Sequence, residues 1–127
     1  MCSPQELPGL TAHLDKLCHH LDGAGRSPGR PHAFIYFITI TNASEHTVRL
    51  LGRKWVLAHA DGTNLVLEGE RIVGETPRLA PGESFSYNSY HVTSVDAVAR
   101  GSFFGLDEEG RALVVPLAPF VLEIPHN

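Results

Sequence analysis

Gly69-Glu70-Arg71-Ile72-Val73-Gly74-Glu75-Thr76-Pro77-Arg78-Leu79-Ala80-Pro81-Gly82-Glu83-Ser84-Phe85-Ser86-Tyr87 is the stretch whose reading decides the architecture. Two glycines bracket a loop, Pro81-Gly82 marks a tight turn, and aromatic residues then stand two apart. Glycine accepts positive φ and proline presets the corner of a turn, so the composition calls for two backbone reversals close together. No helical period separates them, because Thr76-Pro77 interrupts the chain. The order is strand, loop, turn, strand, which belongs to antiparallel sheet.

The flanking sequence repeats the pattern. Phe34-Ile35-Tyr36-Phe37-Ile38-Thr39-Ile40-Thr41 is the clearest strand, with Phe34, Tyr36, Ile38 and Ile40 on one face at period two. Asn42-Ala43-Ser44-Glu45 offers a polar turn, and Gly23 to Pro31 reads as a loop rich in Gly, Pro and Ser. Val48 and Leu50 are apolar at even positions, whereas Trp55 and Leu57 continue at odd ones. A period of two permits that change only if a residue is inserted, which places a β-bulge near Gly52. Asp61-Gly62 marks a hairpin into Leu65-Val66-Leu67. Phe103 to Leu106 and Leu113-Val114-Val115 flank a four-residue turn, and Phe120 to Ile124, between Pro119 and Pro125, reads as a final edge strand. Residues 10–21 are ambiguous. Leu10, Leu14, Leu17 and Leu21 have helical spacing, while Leu10, Ala12 and Leu14 alternate; in an otherwise all-β chain we expect a strand.

A chain of 127 residues is the size of one domain. Its core is expected over residues 10–125, and folding at this length buries roughly two-thirds of the unfolded surface. Hydrophobic content of 43% with 19% charged residues fits a globular protein. The net charge of −4, with acids scattered among bases, provides no basic surface for nucleic acid or an anionic membrane. Cys2 and Cys18 have no partner at metal-ligand spacing and read as reduced thiols. The N-terminus lacks the basic start and apolar run of a secretion signal, and no stretch approaches the roughly twenty apolar residues of a membrane span, so a cytoplasmic protein is expected.

Taken in order, these residues resemble the ApaG domain family. The carriers are Thr39-Ile40-Thr41-Asn42 closing the aromatic strand, Leu51-Gly52-Arg53-Lys54-Trp55, Asp61-Gly62, Gly74-Glu75, Leu79 through Tyr87, and the closing Pro116 to Phe120 with Pro125. The resemblance spans roughly Leu10 to Pro125. It implies two packed antiparallel sheets, an immunoglobulin or fibronectin type III-like β-sandwich, and no established enzymatic activity. The family is associated with a neighbouring diadenosine tetraphosphate hydrolase and with magnesium and cobalt tolerance, and its eukaryotic relatives imply protein recognition. The chain departs from the family's Gly-x-Gly-x-x-Gly loop by placing Arg71 at the second glycine, and Asn88-Ser89-Tyr90 replaces the usual Thr-Ser-Gly.

Each candidate site has a structural reading beside it. A glycine loop that binds phosphate in a dinucleotide fold needs a helix N-terminus behind it, and none follows Gly74. Gly69 and Gly74 are therefore first read as positions needing unusual φ. The functional reading makes Gly69, Arg71, Gly74 and Arg78 a phosphate site in which the two arginines supply charge-assisted bonds. Eight histidines include the adjacent pair His19-His20, which in a strand point to opposite faces and cannot share an ion. No metal or other cofactor is expected. Trp55, the sole tryptophan, is expected in the inter-sheet core, with Arg53 stacked on an aromatic ring or paired with a carboxylate at the rim. No short catalytic motif is present.

The reading that results is a single non-catalytic recognition domain that binds a protein, with Tyr90 as a contact residue and edge strands for strand addition. The first alternative is a module that binds or hydrolyses a nucleotide or pyrophosphate through residues 69–78. A divalent-metal role ranks third, and a homodimer is an open assembly.

Overall fold

The computed structural model describes residues 3–21 and 32–125; Cys2 and the loop expected between Gly23 and Pro31 lie outside the described residues. Eight strands follow one another: β1 Leu10–Leu21, β2 His32–Asn42, β3 Val48–His59, β4 Asn64–Glu70, β5 Arg78–Leu79, β6 Ser84–Thr93, β7 Ala97–Asp107 and β8 Ala112–Leu122. One sheet has the order β1-β2-β6, the other β4-β3-β7-β8 with β5 also paired to β3. All these pairs are antiparallel, and the described residues contain no helix. The sheets pack face to face as a β-sandwich.

Period two governs the burial. Along β2, Phe34, Tyr36, Ile38 and Ile40 are buried while their odd-numbered neighbours stay half-exposed. On β3 the pairing with β7 slips between Leu50 and Gly52, as the change of apolar parity requires. Residues 10–21 form a strand, and the structure explains their ambiguity. The β1–β2 register shifts between Leu14 and Lys16. Leu10, Ala12 and Leu14 lie toward the core before that bulge, and the extra residue brings Leu17 to the same face. A bulged strand thus imitated helical spacing.

The C-terminal region differs from expectation. Leu113–Val115 and Phe120–Leu122 belong to one strand, β8, which ends at Leu122, so the expected final strand stops two residues short of Ile124. Pro116 and Pro119 do not break it, because an edge strand accommodates the missing N–H. The pairing with β7 shifts between Ala99 and Gly101. β5 and the first half of β7 carried too little apolar alternation to be read from sequence.

The two sides of the sandwich are unlike. On one side β1 packs against β8, and Gln5 pairs in parallel with Leu113 through bonds from Gln5 N to Ala112 O (3.1 Å) and from Val114 N to Gln5 O (3.0 Å). On the other, the edges are β4 and β6, with a cleft between them.

Trp55 fills the space between the sheets. Its ring lies 4.9 Å from Tyr36, 4.5 Å from His91 and 5.8 Å from Phe120, centroid to centroid. Beneath it is Gly101, where a Cβ would sit 2.7–2.9 Å from three ring carbons. Gly101→Ala should therefore destabilise the fold by about 1–3 kcal/mol, the usual cost of overpacking. Thermal unfolding reads the change, and an unaltered midpoint would show that the indole is free to move aside.

Candidate functional site

The glycine loop is a hairpin turn anchored in the core. Ile72 is fully buried, and its N–H donates to Glu75 O (2.7 Å) while Glu75 N donates back to Ile72 O (3.0 Å). The central residues Val73 and Gly74 have φ of 46° and 82°, the positive pair that a type I′ turn uses. Gly74 thus has the expected unusual φ. Gly69 does not have the expected positive φ; a Cβ there would meet only the movable Arg53 guanidinium, at 2.5–2.9 Å. The left-handed residue at the head of the loop is Arg71, with φ 72°. Its N–H is bound to Leu51 O, so the amides of residues 71, 72 and 75 all serve the chain's own turn.

The four candidate phosphate residues are spread along this connection. Arg78 lies on β5, beside Arg49 as its cross-strand partner, and lines a groove with Leu106, Asp107 and Glu108; Arg71 is not among that groove's lining residues. Val73 is half-exposed, and a β-branched residue in the left-handed region costs on the order of 1–2 kcal/mol. Val73→Asn, which tolerates that conformation, should raise stability by about 1 kcal/mol. A lower denaturation midpoint for this variant would contradict the assigned turn.

The β4–β6 cleft holds the more unusual chemistry. Its volume is about 320 Å³, and Tyr36, Arg53, Trp55, Val66, Leu67, Glu68, Ser89, Tyr90 and His91 line it. Trp55 and His91 are only 2% and 3% exposed, yet Trp55 Nε1, His91 Nε2 and the nearby Tyr87 Oη have no hydrogen-bond partner among the described residues. Among the described residues, Arg53 makes neither expected contact. Its Nη1 donates to the main-chain oxygens of Arg71 (2.7 Å) and Glu70 (3.3 Å), which ties the cleft to the glycine loop. Tyr90, the expected contact residue, stands at the mouth and is 63% exposed.

Burial sets the protonation states here. It pushes the Tyr36 hydroxyl up, offset in part by Ser89 and by the Arg53 charge, and pushes Tyr87 up strongly. The His91 imidazole falls from 6.5 to about 4 because its charged form would be desolvated. In the unfolded chain this group binds a proton already near pH 6.5, so stability is complete above that pH and declines toward pH 4. The loss is about 3 kcal/mol from this group alone. In His91→Phe the decline between pH 6.5 and 4 should be shallower by that amount, as read from denaturant midpoints. Parallel wild-type and variant curves would refute it.

Elsewhere, two histidines meet each other and a third meets an acid. His19 Nε2 lies 2.7 Å from His32 Nδ1, and His46 Nδ1 lies 2.9 Å from Glu108 Oε1, which raises the His46 pKa. The described residues contain no group of three or more His, Cys, Asp or Glu arranged to hold a metal. Sequence reasoning missed His91, Ser89 and Tyr36 as cleft residues. The available signal was the parity of β6, since Phe85, Tyr87, Ser89, His91 and Thr93 share its inner face.

Fold and cleft together define an all-β antiparallel sandwich, closed along one side and open between two edge strands along the other. The chain belongs to the ApaG family: the profile described as the ApaG domain matches residues 25–105. Protein ApaG of Vibrio cholerae is 40% identical over 96 residues, covering 73% of this chain and 75% of that protein. Protein ApaG of Deinococcus radiodurans is 41% identical over 120 residues, covering 92% and 89%. Among solved structures, one described as the putative ApaA protein of Bordetella pertussis superposes with a TM-score of 0.78 at 27% identity, covering 98% of this chain and 100% of that one. The described residues include no helix long and apolar enough to cross a membrane.

Proposed function

We propose that this domain is a non-catalytic recognition module that binds an extended segment of another protein along its open side. The observation that supports this is the apolar character of two unpaired edges. β4 exposes Leu65 (41%), Val66 (52%) and Leu67 (41%), and β6 exposes Tyr90 (63%) and Val92 (38%). Monomeric sandwiches ordinarily blunt such edges with charge, proline or a covering segment. Here the opposite edge is covered in that way, by Gln5 on β8. An added strand would take main-chain bonds from β4 and seat alternate apolar side chains against Leu65, Leu67 and Tyr90. Aromatic residues of this kind commonly anchor protein interfaces.

Arg71 does not line the groove that holds Arg78, and on this reading their loop is a structural hairpin. Selection of displayed peptides on the wild-type chain, with Val66→Lys as the counter-selection, tests the assignment. Val66 is half-exposed, so the variant should keep its stability within about 0.5 kcal/mol. The expected result is extended apolar peptides that protect β4 or β6 amides from hydrogen exchange and bind Val66→Lys at least about tenfold more weakly. Nucleotides that raise the thermal midpoint, with the shift abolished by Arg71→Ala and no peptide selected, would overturn it in favour of a phosphate-binding module.

A further inference from the structure

The two sheets differ in width on their open side. In the β3–β4 register Trp55 stands opposite Leu67 and Leu57 opposite Leu65, so the two leucines point the same way as those buried residues. Both are nevertheless 41% exposed. The three-stranded sheet ends at β6, which lies over β3 through the His91–Trp55 contact, and no described strand continues it over β4. Two cavities of about 320 Å³ each follow one another along this gap, the first beside Leu67 and Tyr90, the second beside Leu65 and Val92.

Opposite charges stand at the two ends of that leucine row. Arg53 is the cross-strand partner of Gly69, and its guanidinium lies in the side-chain space the glycine leaves open. Nη1 donates to the carbonyls of Glu70 and Arg71, while Nε and Nη2 have no partner among the described residues. At the other end Asp61 lines the second cavity, in the turn that leads into β4. Its Oδ1 accepts from Thr63 N (2.9 Å) and Thr63 Oγ1 (2.6 Å), and these bonds hold the carboxyl below its ordinary range. Oδ2 has no partner among the described residues. Glu68, the other acid in the lining, is already engaged by Lys54 Nζ at 3.5 Å. The inner row therefore reads anion, apolar, apolar, cation from Asp61 to Arg53.

We infer that the open side takes an extended segment of a partner protein with an acid at its first position, apolar residues at its third and fifth, and a base at its seventh. The inference rests on the strand addition to β4 proposed above and adds the sequence order of the segment. Residues directly opposite on paired strands lie about 4.5–5.5 Å apart at Cβ. The acid, opposite Gly69, thus meets the Arg53 guanidinium; the apolar pair covers Leu67 and Leu65; the base, opposite Thr63, faces Asp61. The direction follows from the antiparallel ladder, the more stable form and the one every pair in both sheets adopts.

The test compares two capped peptides of equal composition, Glu-Ser-Val-Ser-Val-Ser-Lys and Lys-Ser-Val-Ser-Val-Ser-Glu, by titration into the full chain. The acid-first order should bind about tenfold more tightly, with β4 amides protected from hydrogen exchange. Asp61→Asn, which keeps the acceptor for Thr63, should cut that ratio to about threefold, and Arg53→Gln should do the same. Arg78→Gln, which removes a cation outside the gap, should leave it unchanged. Equal affinities, or tighter binding of the base-first order, would overturn the inference while recognition of extended apolar segments stands. No binding of either peptide at millimolar concentration would overturn both. The two-peptide comparison uses wild-type protein and decides the matter even if Arg53→Gln fails to fold.

Discussion

The indole of Trp55 lying on Gly101 is the contact on which the rest of the molecule depends. Because Gly101 has no side chain, the ring can press against β7 and still reach across to Tyr36 and His91 on the other sheet. A large aromatic fixes the separation of two sheets more firmly than several aliphatic residues, since it spans the layer as one rigid body. The same placement leaves the indole nitrogen buried without a hydrogen-bond partner among the described residues, beside the cleft that the ring helps to line. One packing decision therefore sets both the thickness of the core and the polar character of the cleft.

What the sequence disclosed and what it withheld follow from the range of the forces involved. Alternation along Phe34 to Ile40 and the parity change around Gly52 are local consequences of the pleat, and both were legible. The strand at residues 10–21 was harder because its bulge at Asp15 superimposes a four-then-three spacing on an alternating one. β8 was divided in the reading because prolines 116 and 119 are local interruptions, while edge position is a property of the whole sheet. The cleft was hidden for a similar reason. His91 and Trp55 are 36 residues apart, and only the register of β2 with β6 and the packing of one sheet on the other bring their rings to 4.5 Å.

The glycine loop illustrates how a motif outlives its literal spelling. The turn at Ile72 to Glu75 needs left-handed backbone, and Arg71 and Val73 adopt it without being glycine. The buried Ile72 side chain and the Arg53 bonds to residues 70 and 71 hold the segment in place against that strain. Arg53 thus joins two regions that the sequence presents separately, the hairpin at one end of β4 and the polar wall of the cleft.

Asn42 closes β2 in a fully buried site where every amide atom is committed. Its Nδ2 donates to the carbonyls of His46 (2.7 Å) and Leu79 (2.9 Å), and its Oδ1 accepts from Ser44 N (3.1 Å) and Ser44 Oγ (2.6 Å). These bonds tie the end of one sheet to β5 of the other. Deamidation is the chemical ageing to which asparagine is prone, and here it would place a carboxylate oxygen opposite two carbonyl oxygens with no proton to share. A single hydrolysed amide at this corner would push the layers apart, making the lifetime of the folded molecule a matter of how rarely that side chain meets water.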